Sequence, residues 1–325
     1  MRYVIIGAGA VGGTIGGRLF DSGHDVVLVA RGAHERVLRE RGLRLELPDR
    51  TLRLPIPVAA GPDDLTPRRD DVLVLAVKTQ DTAAVLSAWA SYGDRPAVVC
   101  AQNGVENERL ALRRFPDVHA MCVWLPSTHL EPGVVRAPCA PLSGMLHLGR
   151  YPSGADDTTR AIAADLNDSG FEAPVSDAVM AWKYAKLLGN LANAVEAVFG
   201  TLVHGAGEGP ALDVARRAQA EGRAVLDAAG IAYTDDEQAA RMRDGKLDVQ
   251  PMGRRGLGSS WQSLMRGTGS IETDYLNGEI VLLGRRVGVP VPVNEELQRV
   301  AGLFAREGRR PGELTDRERA ELLAV

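Results

Sequence analysis

The stretch that most constrains this chain is residues 2–31. Arg2-Tyr3-Val4-Ile5-Ile6 is an apolar, β-branched run that reads as a buried strand. It gives way to Gly7-Ala8-Gly9-Ala10-Val11-Gly12, after which a helical pattern runs through Leu19 and Phe20 until Gly23 stops it. Residues 25–30 then make a second strand, which ends at Arg31. Strand, G-x-G-x-x-G, helix, strand is the context that a dinucleotide-binding fingerprint requires. Gly7 permits the tight turn, Gly9 lets backbone approach a pyrophosphate, and Gly12 lets helix and strand pack closely. The N–H groups opening the helix hold the phosphate charge, so Ala8, Ala10 and Val11 belong to the same expected cofactor contact.

The end of the second strand decides which nucleotide is held. An acidic residue there suits the ribose hydroxyls of NAD or FAD, whereas an arginine suits a 2′-phosphate. Arg31 stands at that point, with His34 and Arg36 near it and no carboxylate before Glu35. NADP is therefore the expected cofactor, and a flavin fits least. The bland alternative is a solvated strand-end charge in an arginine-rich chain.

A chain of 325 residues exceeds one ordinary domain, and two is the natural expectation. Net charge is −4 with acids and bases interspersed, which gives no reason to expect nucleic acid or an anionic membrane surface. Cys100, Cys122 and Cys139 offer neither a disulfide framework nor zinc-ligand spacing, as suits a reducing cytoplasm, and no metal is expected. The start superficially mimics a signal peptide, but its glycines and the strand after them favour the nucleotide reading. No apolar run approaches membrane-spanning length. Lysine occurs only at 78, 183, 186 and 246, so 34 of the 38 basic residues are arginine. The few lysines are candidates for sites that need an ammonium, which can give up its proton as a guanidinium effectively cannot.

The pattern to residue 176 is that of a doubly wound, mainly parallel α/β domain. A short helix (33–41) precedes two alternating runs around Pro48-Asp49-Arg50, which read as a hairpin insertion. A continuous apolar run at 72–77 reads as a central parallel strand that ends at Lys78-Thr79-Gln80-Asp81-Thr82, and a helix follows to Ala90. Another buried strand, 96–100, leads through Gln102-Asn103-Gly104 into a helix at 105–114. Strands are expected at 118–123, 133–137, 145–149 and 171–175, with a helix at 157–169. Ligands of open α/β sheets gather at the carboxyl ends of the strands, so residues 7–12, Arg31, Lys78 and Asn103 fall on one site. From residue 177 to 325 the pattern is almost wholly helical, with helices near 178–200, 211–229, 234–246, 270–288 and 292–306. A charged arm at 306–325 carries a last helix from Thr315, peripheral or in contact with another subunit.

In the helix around 181–194, Lys186, Asn190 and Asn193 are spaced i, i+4, i+7 and share one face. Asparagine and glycine are poor choices inside a helix, so a polar line there needs a reason. It is either a strip lining a cleft with Lys186 as general acid, or a set of side chains bonded to a neighbouring loop. A second cluster, Ser259-Ser260-Trp261-Gln262-Ser263, is followed past a glycine-rich turn by residues 270–278. Ser270 is a candidate N-cap, which makes Glu272 on its own a helix-start residue.

Taken together, G-A-G-A-V-G at 7–12, V-K-T-Q-D-T at 77–82, Q-N-G-V at 102–105, K-L-L-G-N at 186–190 and S-S-W-Q…I-E-T-D-Y-L-N-G at 259–278 resemble the ketopantoate reductase family. The resemblance covers nearly the whole chain to about residue 305. It implies a Rossmann domain joined to an all-α domain with NADPH in the cleft between them, and a small keto acid as substrate. The reaction implied is reduction of 2-dehydropantoate to pantoate, a step of pantothenate biosynthesis. Members of the family are often dimers, so a homodimer is a further expectation. By resemblance, Lys186 is the catalytic lysine that protonates the carbonyl oxygen as hydride arrives at carbon. Asn103 matches the cleft asparagine, and Asn190 the one a turn beyond the lysine. Ser260 corresponds to the serine that binds substrate carboxylate, with Asn193 beside it on the substrate side. Glu272 matches the acid that takes the substrate hydroxyl near the cofactor, and Arg31 and Lys78 the basic pair near the 2′-phosphate and adenosine.

This sequence departs from the family pattern on the substrate side. Many pantoate-making members carry a Gln-Asp pair where Ser263 and Leu264 stand, and place the second asparagine four residues after the first. Two other readings follow. One is an NADP-dependent reductase of the β-hydroxyacid dehydrogenase, imine or opine type, and the other a non-catalytic NADPH sensor.

Overall fold

The computed structural model describes residues 1–201, 209–250, 252, 258–267 and 269–325. Thr268, in the glycine-rich turn, lies outside them. The chain divides into two units, Met1–Lys183 with Asp235–Arg254 and Tyr184–Thr234 with Arg255–Val325. The expected division at 176/177 is thus replaced by one inside a helix, and a later segment returns to the first unit.

In the first unit the order opens β1 (Arg2–Ile6), α1 (Ala10–Asp21), β2 (Asp25–Val29), α2 (Gly32–Arg41). The hairpin β3 (Leu43–Glu46) and β4 (Thr51–Leu54) follows, then β5 (Val58–Ala59), β6 (Asp71–Leu75), α3 (Thr79–Ala88), β7 (Ala97–Cys100) and α4 (Asn107–Leu112). Next come β8 (Val118–Trp124), β9 (Val134–Arg136), β10 (Cys139–Pro141), β11 (Met145–Arg150), α5 (Asp157–Asp168) and α6 (Val179–Asn190), the helix within which the units divide. Seven strands form one sheet in the order β11-β8-β7-β6-β1-β2-β5, parallel except for β11 against β8. Side chains alternate across β1. Tyr3 and Ile5 enter one core, Val4 and Ile6 the other, so both faces of the strand are covered. The chain reverses direction across the sheet at β1 and β6, which sets the crevice where a dinucleotide lies. The hairpin insertion forms as expected, antiparallel, with β9 joining β3 in parallel. The strand expected at 171–175 is reduced to two isolated bridges, Glu172 to Met145 and Val175 to Leu148.

The second unit contains the end of α6 and α7 (Ala192–Phe199), α8 (Pro210–Ala228). Between its two stretches lie α9 (Asp236–Arg243) and β12 (Leu247–Val249), which belong to the first unit; β12 pairs with β10. The almost wholly helical reading after 177 does not include this strand. The helical unit resumes with α10 (Ser259–Arg266), α11 (Asn277–Val287), α12 (Pro292–Glu307) and α13 (Asp316–Ala324). The expected helix at 178–200 divides at Leu191. Asn277 holds that division, since its amide donates to the Leu191 carbonyl at 3.3 Å and to Asn294 at 3.0 Å. Glu221 in turn accepts from the N–H groups of Val293 and Asn294 at the start of α12. The charged arm is a capped helix: Thr315 and Glu318 form a capping box, and the buried Leu322 docks α13 within its own unit.

Candidate active site

At the β1–α1 turn the glycines do what their spacing requires. Gly7 has φ +103°, and a Cβ there would sit 2.8 Å from the Val77 nitrogen. A Cβ on Gly12 would strike the Gly7 carbonyl and the side chains of Ile5 and Ala76. A Cβ on Gly9 would meet nothing within 4 Å among the described residues, so the backbone can be approached closely. The first turn of α1 holds no acidic residue and its N-cap, Gly9, gives no side-chain cap, so its N–H groups are left for a ligand's charge. This is a cradle that fits a pyrophosphate.

Arg31 sits at the N-cap of α2, one residue past Ala30, and is exposed. Its side chain has no partner among the described residues. Glu35, the carboxylate nearest in sequence, is paired with Arg39 at 2.9 Å. His34 belongs to the scaffold instead. Its Nδ1 accepts from the Gly133 N–H at 2.9 Å, which leaves Nε2–H to donate to the Ala8 carbonyl at 2.8 Å. Burial pushes its pKa down, so the ring is neutral as it ties the glycine turn to the loop before β9. Lys78 stands at the N-cap of α3, and Asn103 in the turn after β7.

A buried polar network lies beneath the Asn103 turn. Gln102 Nε2 donates to the Val77 carbonyl at 3.0 Å and to Thr82 Oγ1 at 2.8 Å. Thr82 donates to Asn107 Oδ1 at 2.8 Å, and Asn107 Nδ2 donates to Thr79 Oγ1 at 3.2 Å and to the Asn103 carbonyl at 3.0 Å. Lys183, from the first turns of α6, donates to the Gln102 carbonyl at 3.0 Å and to Glu108. Burial pushes the Glu108 carboxyl up, and the Lys183 ammonium opposes it. The Asn103 side-chain amide is half-buried and has no partner among the described residues. The scarcity of lysine pointed to Lys183 as well as Lys186, but its ammonium closes this network; Lys246 likewise pairs with Glu172 at 2.9 Å.

In the helical unit Lys186 is half-buried, and Asn190, a turn further along α6, is buried, its amide nitrogen without a partner among the described residues. Asn193 follows the division at Leu191, where the backbone keeps α-helical dihedrals. It lies on α7, and its amide donates to Ser259 Oγ at 3.5 Å. Glu196, which the sequence reading did not single out, is buried one turn on and accepts from the Gly258 N–H at 2.9 Å. Together they hold the start of α10, where Ser260 is buried at 2% exposure. A Cβ on Gly258 would meet Asn193 Oδ1 at 2.8 Å and Glu196 Oε2 at 2.9 Å. Ser263 is turned back onto the Ser259 carbonyl at 3.1 Å. Glu272, 3% exposed, opens a 3-10 turn (Glu272–Tyr275) whose N-cap position is Ile271, so Ser270 is not the cap. Arg266 stands in its field. Burial lowers this guanidinium's pKa while the Glu272 carboxylate raises it. The family motif gave no signal for that arginine.

At the opposite, amino-terminal edge of the sheet, donor atoms of Asp117, His119 and Asp156 come within 4.8 Å of one another. The Arg150 guanidinium already serves both carboxylates there, at 3.1 and 2.5 Å.

The sheet order, the glycine turn and the helical second unit define a dinucleotide-binding oxidoreductase. Residues 3–152 match the family model described as ketopantoate reductase PanE/ApbA, and residues 178–304 its C-terminal counterpart. The chain belongs to the ketopantoate reductase family, oxidoreductases that act on a carbonyl. It is 30% identical over 320 residues to a 2-dehydropantoate 2-reductase of Mesorhizobium japonicum, covering 90% of this chain and 94% of the relative. A crystal structure of a PanE/ApbA family ketopantoate reductase from Ralstonia eutropha JMP134 superposes with TM-score 0.78 at 30% identity, covering 95% and 99% of the two chains. The ternary structure of D-mandelate dehydrogenase with NADH and anilino(oxo)acetate has TM-score 0.79 at 21% identity and covers 95% and 99%; at that distance the fold alone is shared.

Proposed function

We propose that this protein is an NADPH-dependent reductase of a small 2-keto acid, with Lys186 as the general acid. The observation that carries the reading is the buried amide of Asn190, one turn from Lys186, which has no partner among the described residues. A buried donor without a partner is costly, and a substrate oxygen would satisfy it. Bound nicotinamide supplies the hydride. As charge builds on the carbonyl oxygen, the Lys186 ammonium stabilises and then protonates it, which needs a group that can lose a proton. Ser260 binds the substrate carboxylate, and Glu272 takes a hydroxyl or a second polar group. The turn at Gly7, Ala8, Gly9, Ala10, Val11 and Gly12 holds the pyrophosphate, Arg31 and Lys78 the 2′-phosphate and adenosine, and Asn103 faces the nicotinamide half.

The substrate is a relative of ketopantoate before it is ketopantoate itself. Ser263 and Leu264 replace the Gln-Asp pair, and Arg266 stands by Glu272, which favours a 2-keto acid with a different polar group beyond its carbonyl. The test follows nicotinamide absorbance with NADPH and a panel of 2-keto acids that includes ketopantoate. Turnover of at least one supports the reading. NADPH binding with no turnover across the panel sinks it and leaves the sensor reading.

A further inference from the structure

We propose that Lys183, Glu108 and Asn107 are positioning residues that clamp the Asn103 peptide for the nicotinamide half of the cofactor. The inference rests on the nicotinamide-cofactor reading above. Asn103 hangs on a turn, and turns are the least constrained backbone in an α/β unit. Here the two peptide carbonyls flanking the Asn103 amide plane are both held from beneath. Lys183 donates to the Gln102 carbonyl at 3.0 Å, and Asn107 to the Asn103 carbonyl at 3.0 Å. Gln102 ties the same turn to the Val77 carbonyl, at the end of the neighbouring strand. The holding groups are themselves fixed by burial: Lys183 is 3% exposed, and Glu108 and Asn107 are fully buried. What remains unheld among the described residues is the Asn103 side chain, half-buried at a strand's carboxyl end.

The strand order says which part of the cofactor this serves. With β2 on one side of β1 and β6 and β7 on the other, the adenosine half lies over β2 and Arg31, and the nicotinamide half over the ends of β6 and β7. Asn103 follows β7. A backbone clamp there fixes an amide against the reacting ring, and displacement of about 1 Å from productive geometry can cost on the order of a hundredfold in rate.

A stability role alone would look different. Breaking a buried ion pair leaves an uncompensated charge, whereas replacing both partners by apolar side chains of similar volume is often neutral for stability. The decisive variant is therefore Lys183→Met with Glu108→Met in the full chain, and the second is Asn107→Ala. Titrations with NADPH and with adenosine 2′,5′-bisphosphate, which lacks the nicotinamide half, read the clamp without any turnover. We expect the double variant to keep its melting temperature, to bind the bisphosphate as wild type does, and to lose about tenfold or more in NADPH affinity or in turnover. Asn107→Ala should give the same split, and adding Asn103→Ala to the double variant should cost little more. Wild-type NADPH affinity and turnover in a folded double variant overturn the proposal. Equal losses for both ligands in Asn107→Ala overturn it too, and decide the matter if the double variant does not fold. A wild-type protein that reduces no keto acid sinks the function reading separately, because the two titrations do not depend on catalysis.

Discussion

His147 gives the most quantitative prediction. It lies on β11 directly opposite Cys122 on β8, is 1% exposed, and stacks on Trp182 with ring centroids 4.0 Å apart. Neither ring nitrogen has a hydrogen-bond partner among the described residues, and the cations of Arg243 and Lys246 add to the cost of charging it. Burial first, then those two cations, bring its pKa from the ordinary 6.5 down to about 4. The unfolded chain therefore takes up a proton near pH 6.5 that the folded protein refuses until about pH 4, and stability falls as pH drops through that window. The loss is about 2 kcal/mol at pH 5 and about 3 kcal/mol at pH 4, relative to pH 7.5. His147→Phe keeps a ring against Trp182 and removes the titration. Urea unfolding of both proteins between pH 7.5 and 4, followed by tryptophan fluorescence, should give curves that coincide near neutrality and then separate by these amounts, the variant more stable in acid. All other titrating groups cancel in the difference. Parallel curves would refute the reasoning, as would a His147 resonance that titrates near 6.5.

Three further outcomes follow from the site. Lys186→Ala should lower turnover by at least about a hundredfold, the low end for general acid catalysis, while NADPH titration stays close to wild type. Arg31→Ala should weaken NADPH about ten- to a hundredfold and leave NADH unchanged, the worth of charge-assisted bonds to a phosphate; equal losses for both nucleotides would end the 2′-phosphate assignment. Glu196→Ala releases the start of α10 and should raise KM for the keto acid severalfold without moving the NADPH dissociation constant, which steady-state kinetics and fluorescence titration check separately.

The first thirty-one residues could be read directly because their logic is local. A glycine that must take φ +103° and an apolar run buried on both faces leave the same marks wherever they occur. The hairpin insertion and the last helix after Thr315 were legible for the same reason. Other features waited on tertiary structure because distant segments decide them. Asn193 is bonded to Ser259, 66 residues on, and the Leu191 carbonyl to Asn277, 86 residues on, pairings that no local spacing announces. Lysine scarcity could not separate Lys186 from Lys183, since only the fold brings Glu108 and the Gln102 carbonyl to the latter. The sequence by itself determined that a dinucleotide turn begins this chain. Which polar side chains are consumed as scaffold was decided by packing, because a buried hydrogen-bonding group is claimed by whatever partner the fold sets beside it.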